Sequence, residues 1–192
     1  YSLVLPLGGG YTLTPYRRNY TFEPASVSTG SLAADWLNDF TGQLNNYIVS
    51  GSVTVEGAGL AGATVTVSGS TDTFAVTDSS GSYYITLAAA GNYTLTPALA
   101  YYTFSPEAVS TETLSGNWAE NNFSAERIYH VVSGSVTVEG APLPDTLVSV
   151  TGDTFVSAET DAEGVYSFTL AAGGNYTFTP SRQYYLFEPV AS

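Results

Sequence analysis

Lysine, cysteine and methionine are absent from these 192 residues, and histidine occurs once. Without cysteine there is no disulfide, no thiolate metal site and no thiol redox chemistry. The absence does not assign a compartment. All four basic residues are arginines and stand against seventeen acids, for a formal charge of −13. Such a chain repels phosphate backbones, so nucleic acid is not an expected partner. Acids spread this thinly read first as a source of solubility. No apolar run is long enough to span a membrane, and no signal-peptide pattern is visible. Helical periodicity is missing too. The best helical segment, Ser31–Asn38 (SLAADWLN), allows at most one turn; its partner SGNWAENN at 115–122 is a poor helix, and a bulged loop is expected in both.

What the chain has is one module written more than once. IVSGSVTVEG at 48–57 returns as VVSGSVTVEG at 131–140. Gly51 and Gly134, Asp78 and Asp161, and Pro97 and Pro180 are each 83 positions apart. The opening YSLVLPLGGGYTLTP (1–15) aligns with 83–97 and 166–180. A period this long indicates tandem domains. The expected domains are 1–47, the C-terminal part of a repeat without its head; 48–130, a complete repeat; and 131–192, a repeat lacking its last strand.

Within 48–130 short apolar alternations recur about every ten residues, bounded by Gly, Pro or Asp. Fifteen tyrosines with Val, Ile, Thr and Phe suit pleated, half-buried surfaces. Strands are expected through Ile48–Glu56, Ala63–Ser68, Phe74–Val76, Tyr83–Leu87, Tyr93–Pro97 and Tyr102–Phe104. Val109, Leu114, Trp118 and Phe123 mark tail strands. The fold class is all-β: tandem Ig-like or prealbumin-like antiparallel β-sandwich repeats with incomplete terminal copies. Period-two alternation turns Val53, Val55, Val65, Val67, Ile85, Leu87, Tyr93, Leu95 and Phe104 inward. In the other copy it selects Val136, Val138, Phe168, Leu170, Tyr176 and Phe178.

The series SGSVTVEG, TDxxGxY, GNYTxTP and YxFxP resembles the carboxypeptidase regulatory-like repeats of prokaryotic surface proteins. These prealbumin-like sandwiches are related to collagen-adhesin B-type stalk repeats. The resemblance implies a stalk, spacer or adhesive role. Many such stalk modules carry a Lys–Asn isopeptide crosslink, which a chain without lysine cannot form.

Each candidate site has a plain structural reading beside the functional one. His130 lies at the module junction, where the preceding junction has Tyr47; without a nucleophile elbow it reads as a surface residue. Asp78, and Asp161 with Glu163, occupy TDxxG turns. They are weak calcium candidates, because each turn supplies one or two carboxylates where calcium takes six to eight oxygens. Help from Asp72 or Asp153 would be needed, and no other cofactor is expected. Glu23 and Glu188 are equivalent, but Ser105 replaces them in the middle copy, which argues against a glycosidase pair. The chain is therefore read as no enzyme. Asn19, Asn92, Asn122 and Asn175 head N-x-S/T sequons, so glycans are possible partners.

The ends carry the functional expectation. Residues 110–124 supply a tail strand to the middle copy, and the chain stops at Ser192, the equivalent of Val109. Val27–Phe40 is an orphan copy of that tail, with Trp36 and Phe40 matching Trp118 and Phe123. This predicts self-assembly head to tail, a homopolymer in which the segment from one subunit completes the next. Val27, Leu32, Trp36, Phe40, Tyr184 and Tyr185 are the expected interface. The first 26 residues duplicate the last copy and would be redundant there. The function so read is a structural subunit of an extracellular filament, sheath or surface stalk, at the cell surface and not embedded in the membrane. The alternative is an adhesin or carbohydrate-binding accessory module from a longer tandem array.

Overall fold

A computed structural model describes residues 1–188, and every element in it is a strand. The first are β1 (Tyr11–Leu13), β2 (Tyr20–Glu23), β3 (Val27–Thr29) and β4 (Thr41–Leu44). Next come β5 (Asn46–Val55), β6 (Ala58–Gly59), β7 (Thr64–Gly69), β8 (Thr73–Val76) and β9 (Ser82–Ala88). They are followed by β10 (Tyr93–Ala98), β11 (Tyr102–Ser105), β12 (Val109–Thr111) and β13 (Phe123–Arg127). The last are β14 (Tyr129–Ser135), β15 (Thr137–Val138), β16 (Ala141–Pro142), β17 (Leu147–Gly152), β18 (Val156–Glu159), β19 (Val165–Ala171) and β20 (Tyr176–Ser181). The chain divides into two compact units, Tyr1–Ala98 with Ser105–Ser124, and Leu99–Phe104 with Ala125–Ser192. Residues 189–192, part of the expected third repeat, lie outside the described residues.

In the first unit one sheet has the order β12-β10-β7-β8. In the other, β5 lies between β9 and β13, with β6 folded back on its end. The strand pairs with a resolved register are antiparallel, while the bridge between Val49 and Trp118 is parallel. Alternation along β5, β7, β9 and β10 sends Val49, Val53, Val65, Val67, Tyr83, Ile85, Leu87, Tyr93 and Leu95 between the sheets. Leu114 and Phe123 close that core. In the second unit β18-β17-β20 faces the β14-β19 pair, around Val136, Leu143, Val148, Val150, Phe168 and Leu170. This is the expected antiparallel sandwich.

Turn chemistry repeats with the sequence. The Asp78 carboxylate accepts the amides of Ser80 and Ser82, and the Gly81 amide closes the turn onto the Asp78 carbonyl. Asp161 does the same with Glu163, Val165 and Gly164. Gly81 has φ +77, and a Cβ there would meet the Val53 carbonyl at 2.3 Å, so only glycine fits. Tyr11, Tyr93 and Tyr176 each donate their hydroxyl to the carbonyl five residues upstream, at 2.9, 3.0 and 2.9 Å.

Ser31–Asn38 is irregular, as the bulged-loop reading expects: Leu32 exchanges backbone hydrogen bonds with Gly8 and Gly9, which leaves no ladder for a helix. Other expectations need correction. Val138 is exposed, because pairing with β19 ends at Ser135 and the chain then turns into the short β15-β16 hairpin. Val55, Phe104, Tyr176 and Phe178 are only half-buried. Phe74 and Val76 do form a strand, but they face outward from a sheet edge.

Leu87→Ala should cost about 2–5 kcal/mol in denaturant unfolding, and Phe74→Ala under about 0.5. A reversed order would invert the assigned faces.

Candidate functional site

Strand β5 is bonded on both edges. One edge pairs with β9 from Asn46↔Ala88 to Ser52↔Ser82. The other takes the segment 114–122, which does not form a regular strand. Trp118 donates its amide to the Ile48 carbonyl (2.9 Å) and accepts from the Ser50 amide (2.9 Å). Asn121 donates its amide to the Ser50 carbonyl (3.2 Å), and its side-chain nitrogen reaches the same carbonyl at 3.1 Å. Asn117 and Asn122 accept the amides of Ile48 and Ser52. A bulged loop was expected at 115–122, with Leu114, Trp118 and Phe123 marking tail strands; the segment makes a mixed backbone and side-chain seam.

Tyr83 locks the seam. Its ring passes over Gly51, and its hydroxyl donates to the Asn121 carbonyl at 2.6 Å. A Cβ on Gly51 would stand 2.0 Å from that carbonyl, so the close approach requires glycine. Phe123 stacks on Tyr83, with centroids 6.5 Å apart, and is 2% exposed. Burial raises the Tyr83 pKa above the ordinary 10.0, because desolvation penalises the phenolate.

The counterpart of β5 in the second copy of the repeat is β14. It pairs with β19 in the register of β5 with β9: Ser133↔Ser167 corresponds to Ser50↔Tyr84. Val131, Ser133 and Ser135 therefore point their backbone groups away from β19, and among the described residues nothing meets them. Val132 is 36% exposed where its counterpart Val49 is fully buried. The Tyr166 hydroxyl, counterpart of Tyr83, has no hydrogen-bond partner among the described residues. Beside Tyr166 an open cavity of about 240 Å³ is lined by Val136, Val148, Phe178 and Phe187, in the region that Phe123 plugs in the first unit.

Residues 1–40 hold the counterpart of the tail segment. Leu32 bonds Gly8 and Gly9 as Leu114 bonds Ala90 and Gly91. Tyr1 lies 6.4 Å from Phe40, as Tyr83 does from Phe123. An open groove of about 810 Å³ runs between Tyr1–Leu7 and Leu32–Asp39.

The expected interface residues fall partly here. Leu32, Trp36 and Phe40 are half-buried along the tail, while Val27 pairs with Leu13 in β3. Tyr184 (94% exposed) and Tyr185 sit on a turn where Arg182 stacks at 5.5 Å on Tyr185, as Arg17 does at 4.5 Å on Tyr20. The remaining candidates are dispersed. His130 is exposed on β14. The Asp78 carboxyl is held below its ordinary range, first by the Ser80 hydroxyl and then by turn amides. Among the described residues no three His, Asp or Glu side chains gather as a metal site would need. Asn92, Asn122 and Asn175 are exposed and Asn19 half-buried; Asn92 and Asn122 have their side-chain oxygens engaged by Ser70 and Ser52. Residues 1, 38, 51, 83, 133, 134 and 166 were missed in the sequence. The readable signal was the paired glycines, Gly51 and Gly134, inside otherwise apolar strands.

No protein-family model and no curated protein matches the chain. Solved structures similar to it include the Bacillus anthracis TIE protein, with TM-score 0.61 and 17% identity over 81% of this chain. A streptococcal ancillary pilin aligns over 77% of the chain with TM-score 0.42 and 11% identity. The chain spans 30% and 57% of those two chains. The likeness to the first is one of fold.

Tyr83→Phe should destabilise the chain by about 0.5–1.5 kcal/mol through the lost hydroxyl bond, while Tyr166→Phe should be neutral. The raised Tyr83 pKa means that the folded state holds its proton longer than the unfolded chain. Its stabilising contribution is therefore full below pH 10.0 and declines above it. Equilibrium unfolding from pH 8 to 11 should show this decline in the parent chain and less of it in Tyr83→Phe.

Proposed function

We propose that this chain is a structural, non-enzymatic subunit of an extracellular filament, sheath or surface stalk. Its modules are 1–47, 48–130 and 131–192, and copies join head to tail by strand complementation. The segment Val27–Phe40 of one copy lies along β14 of the next and Phe40 enters the cavity beside Tyr166. The observation that carries this reading is the unmatched outer edge of β14, which keeps the register and the glycine of β5. Such an edge is a template for another strand. Burying Trp36 and Phe40 would contribute roughly 1.5–3 kcal/mol each, against the entropy of joining two bodies. No disulfide or lysine crosslink can secure the joint, so backbone pairing and aromatic packing must hold it.

Negative-stain microscopy of the full chain should show unbranched filaments. A chain lacking residues 1–44 should remain unassembled while 48–188 keeps its β-signature by circular dichroism. Identical filaments from the shortened chain would overturn complementation.

A further inference from the structure

The two copies of the repeat differ on one outer face. In the first copy Phe74, Val76 and Tyr84 stand 64, 52 and 75% exposed on β8 and β9. At the offset of 83 their counterparts in the second copy are Ser157, Glu159 and Ser167. A packing contact between successive modules would recur with the modules, so these three side chains answer to something other than the repeat. Both strands lie inside the complete copy, where β8 ends one sheet and β9 has only β5 beside it in the other.

The surface between them is hollowed. An open cavity of about 620 Å³ is lined by Ser50, Val76, Asp78, Ser82 and Tyr84, among others. Tyr84 pairs across the sheet with Ser50, and Ser82 with Ser52, so these side chains share the outer face. Phe74 stands two residues from Val76, on the same side of β8. One carboxylate oxygen of Asp78, Oδ1, accepts the amides of Ser80 and Ser82 and the Ser80 hydroxyl, at 2.8, 3.0 and 2.6 Å. Its Oδ2 takes no bond among the described residues. The turn thus holds a charged acceptor still and leaves one oxygen for a ligand.

We infer that this face binds a neutral oligosaccharide. A pyranose ring presents C–H groups on its faces and hydroxyls around its rim. The rings of Tyr84 and Phe74 offer the faces an apolar platform with a negative π-surface. Asp78 Oδ2 and the serine hydroxyls meet the rim, the first as acceptor and the others as donor or acceptor. Other ligand classes fit this mixture poorly. An anionic polymer would meet Asp78 and a net charge of −13, with none of the four arginines lining the cavity. An apolar helix or an acyl chain would bury Asp78 and the hydroxyls without partners, which opposes the contact. The second copy keeps the fixed carboxylate, in Asp161, but has no aromatic residue at the three positions. It is therefore a non-binding control carried by the same chain. The site lies within one module and does not depend on how copies join.

The test titrates the full chain with cellohexaose, chitohexaose and maltohexaose, and with polygalacturonate as the anionic comparison. At millimolar probe, NMR should show the resonances of Phe74, Val76, Asp78 and Tyr84 moving with at least one neutral probe and staying in place with polygalacturonate. Tyr84→Ser and Phe74→Ser install residues of the kind the second copy carries, so the fold should persist. Each should weaken binding about tenfold, as the loss of one aromatic contact would. Asp78→Asn keeps an acceptor for the turn but replaces Oδ2 by a donor, and should weaken binding several-fold. Phe155→Ser, at an aromatic 80% exposed in the second copy, should leave binding unchanged. No movement with any neutral probe, or equal losses from Phe155→Ser and Tyr84→Ser, would overturn the assignment. So would self-association of the parent chain that Tyr84→Ser abolishes while no saccharide binds, because a second copy would then be what covers the face.

Discussion

A strand in the middle of a sheet must place its N–H and C=O groups on two sides, and the opening strand of each module sets that demand. For β5 one side is met by β9. The other is met only when residues 114–122 come back across the module, some seventy positions later in the chain. The rest of the seam follows from that return. Gly51 must be bare, Tyr83 must cross it to reach Asn121, and Leu114 and Phe123 must fall into the core on either side of the seam. Removing one of these leaves backbone groups unmatched in a place where water is partly excluded, which costs more than the mean value of a hydrogen bond.

The repeat is conserved at the level of this wiring more than of its surface. Thr77 and Thr160 are both buried, and each donates its hydroxyl to a carbonyl seventeen residues back (Leu60 and Leu143) while accepting an amide (Ala63 and Thr146). At the module junctions Asn45 is held between the Asn19 carbonyl and the Ala89 amide, and Ile128 between the Tyr101 carbonyl and the Ala172 amide. The donors are backbone groups, so the side chains at the junction are free to differ. This explains how tyrosine and histidine can alternate near the junction without a shared chemical role.

Sequence alone was sufficient for the strands and their inward faces, because period-two alternation and TDxxG turns are local signals. It misjudged Val138, whose alternation is intact but which sits where the pairing with β19 has ended. The bulged loop at Ser31–Asn38 was legible, but not its partners, because the bonds that hold Leu32 come from Gly8 and Gly9, more than twenty positions away. The aromatic residues of the tail were visible as matched pairs. The polar half of the seam, Asn121 with the Ser50 carbonyl, was not, because an asparagine is informative only once its acceptor is known.

Charge placement bears on the same edge. Natural sheets protect open edges with charged side chains, proline or bulges. This chain has acids to spare for that purpose, and β8 is flanked by Asp72 and Asp78. Yet from Ile128 to Val138 no acidic or arginine residue occurs, as none does from Asn45 to Val55. The interior strand β5 is free of charge because both its edges are occupied. β14 repeats that composition and the glycine, at Gly134, although its Val131 and Val132 are exposed, so the copied strand keeps the character of an interior one.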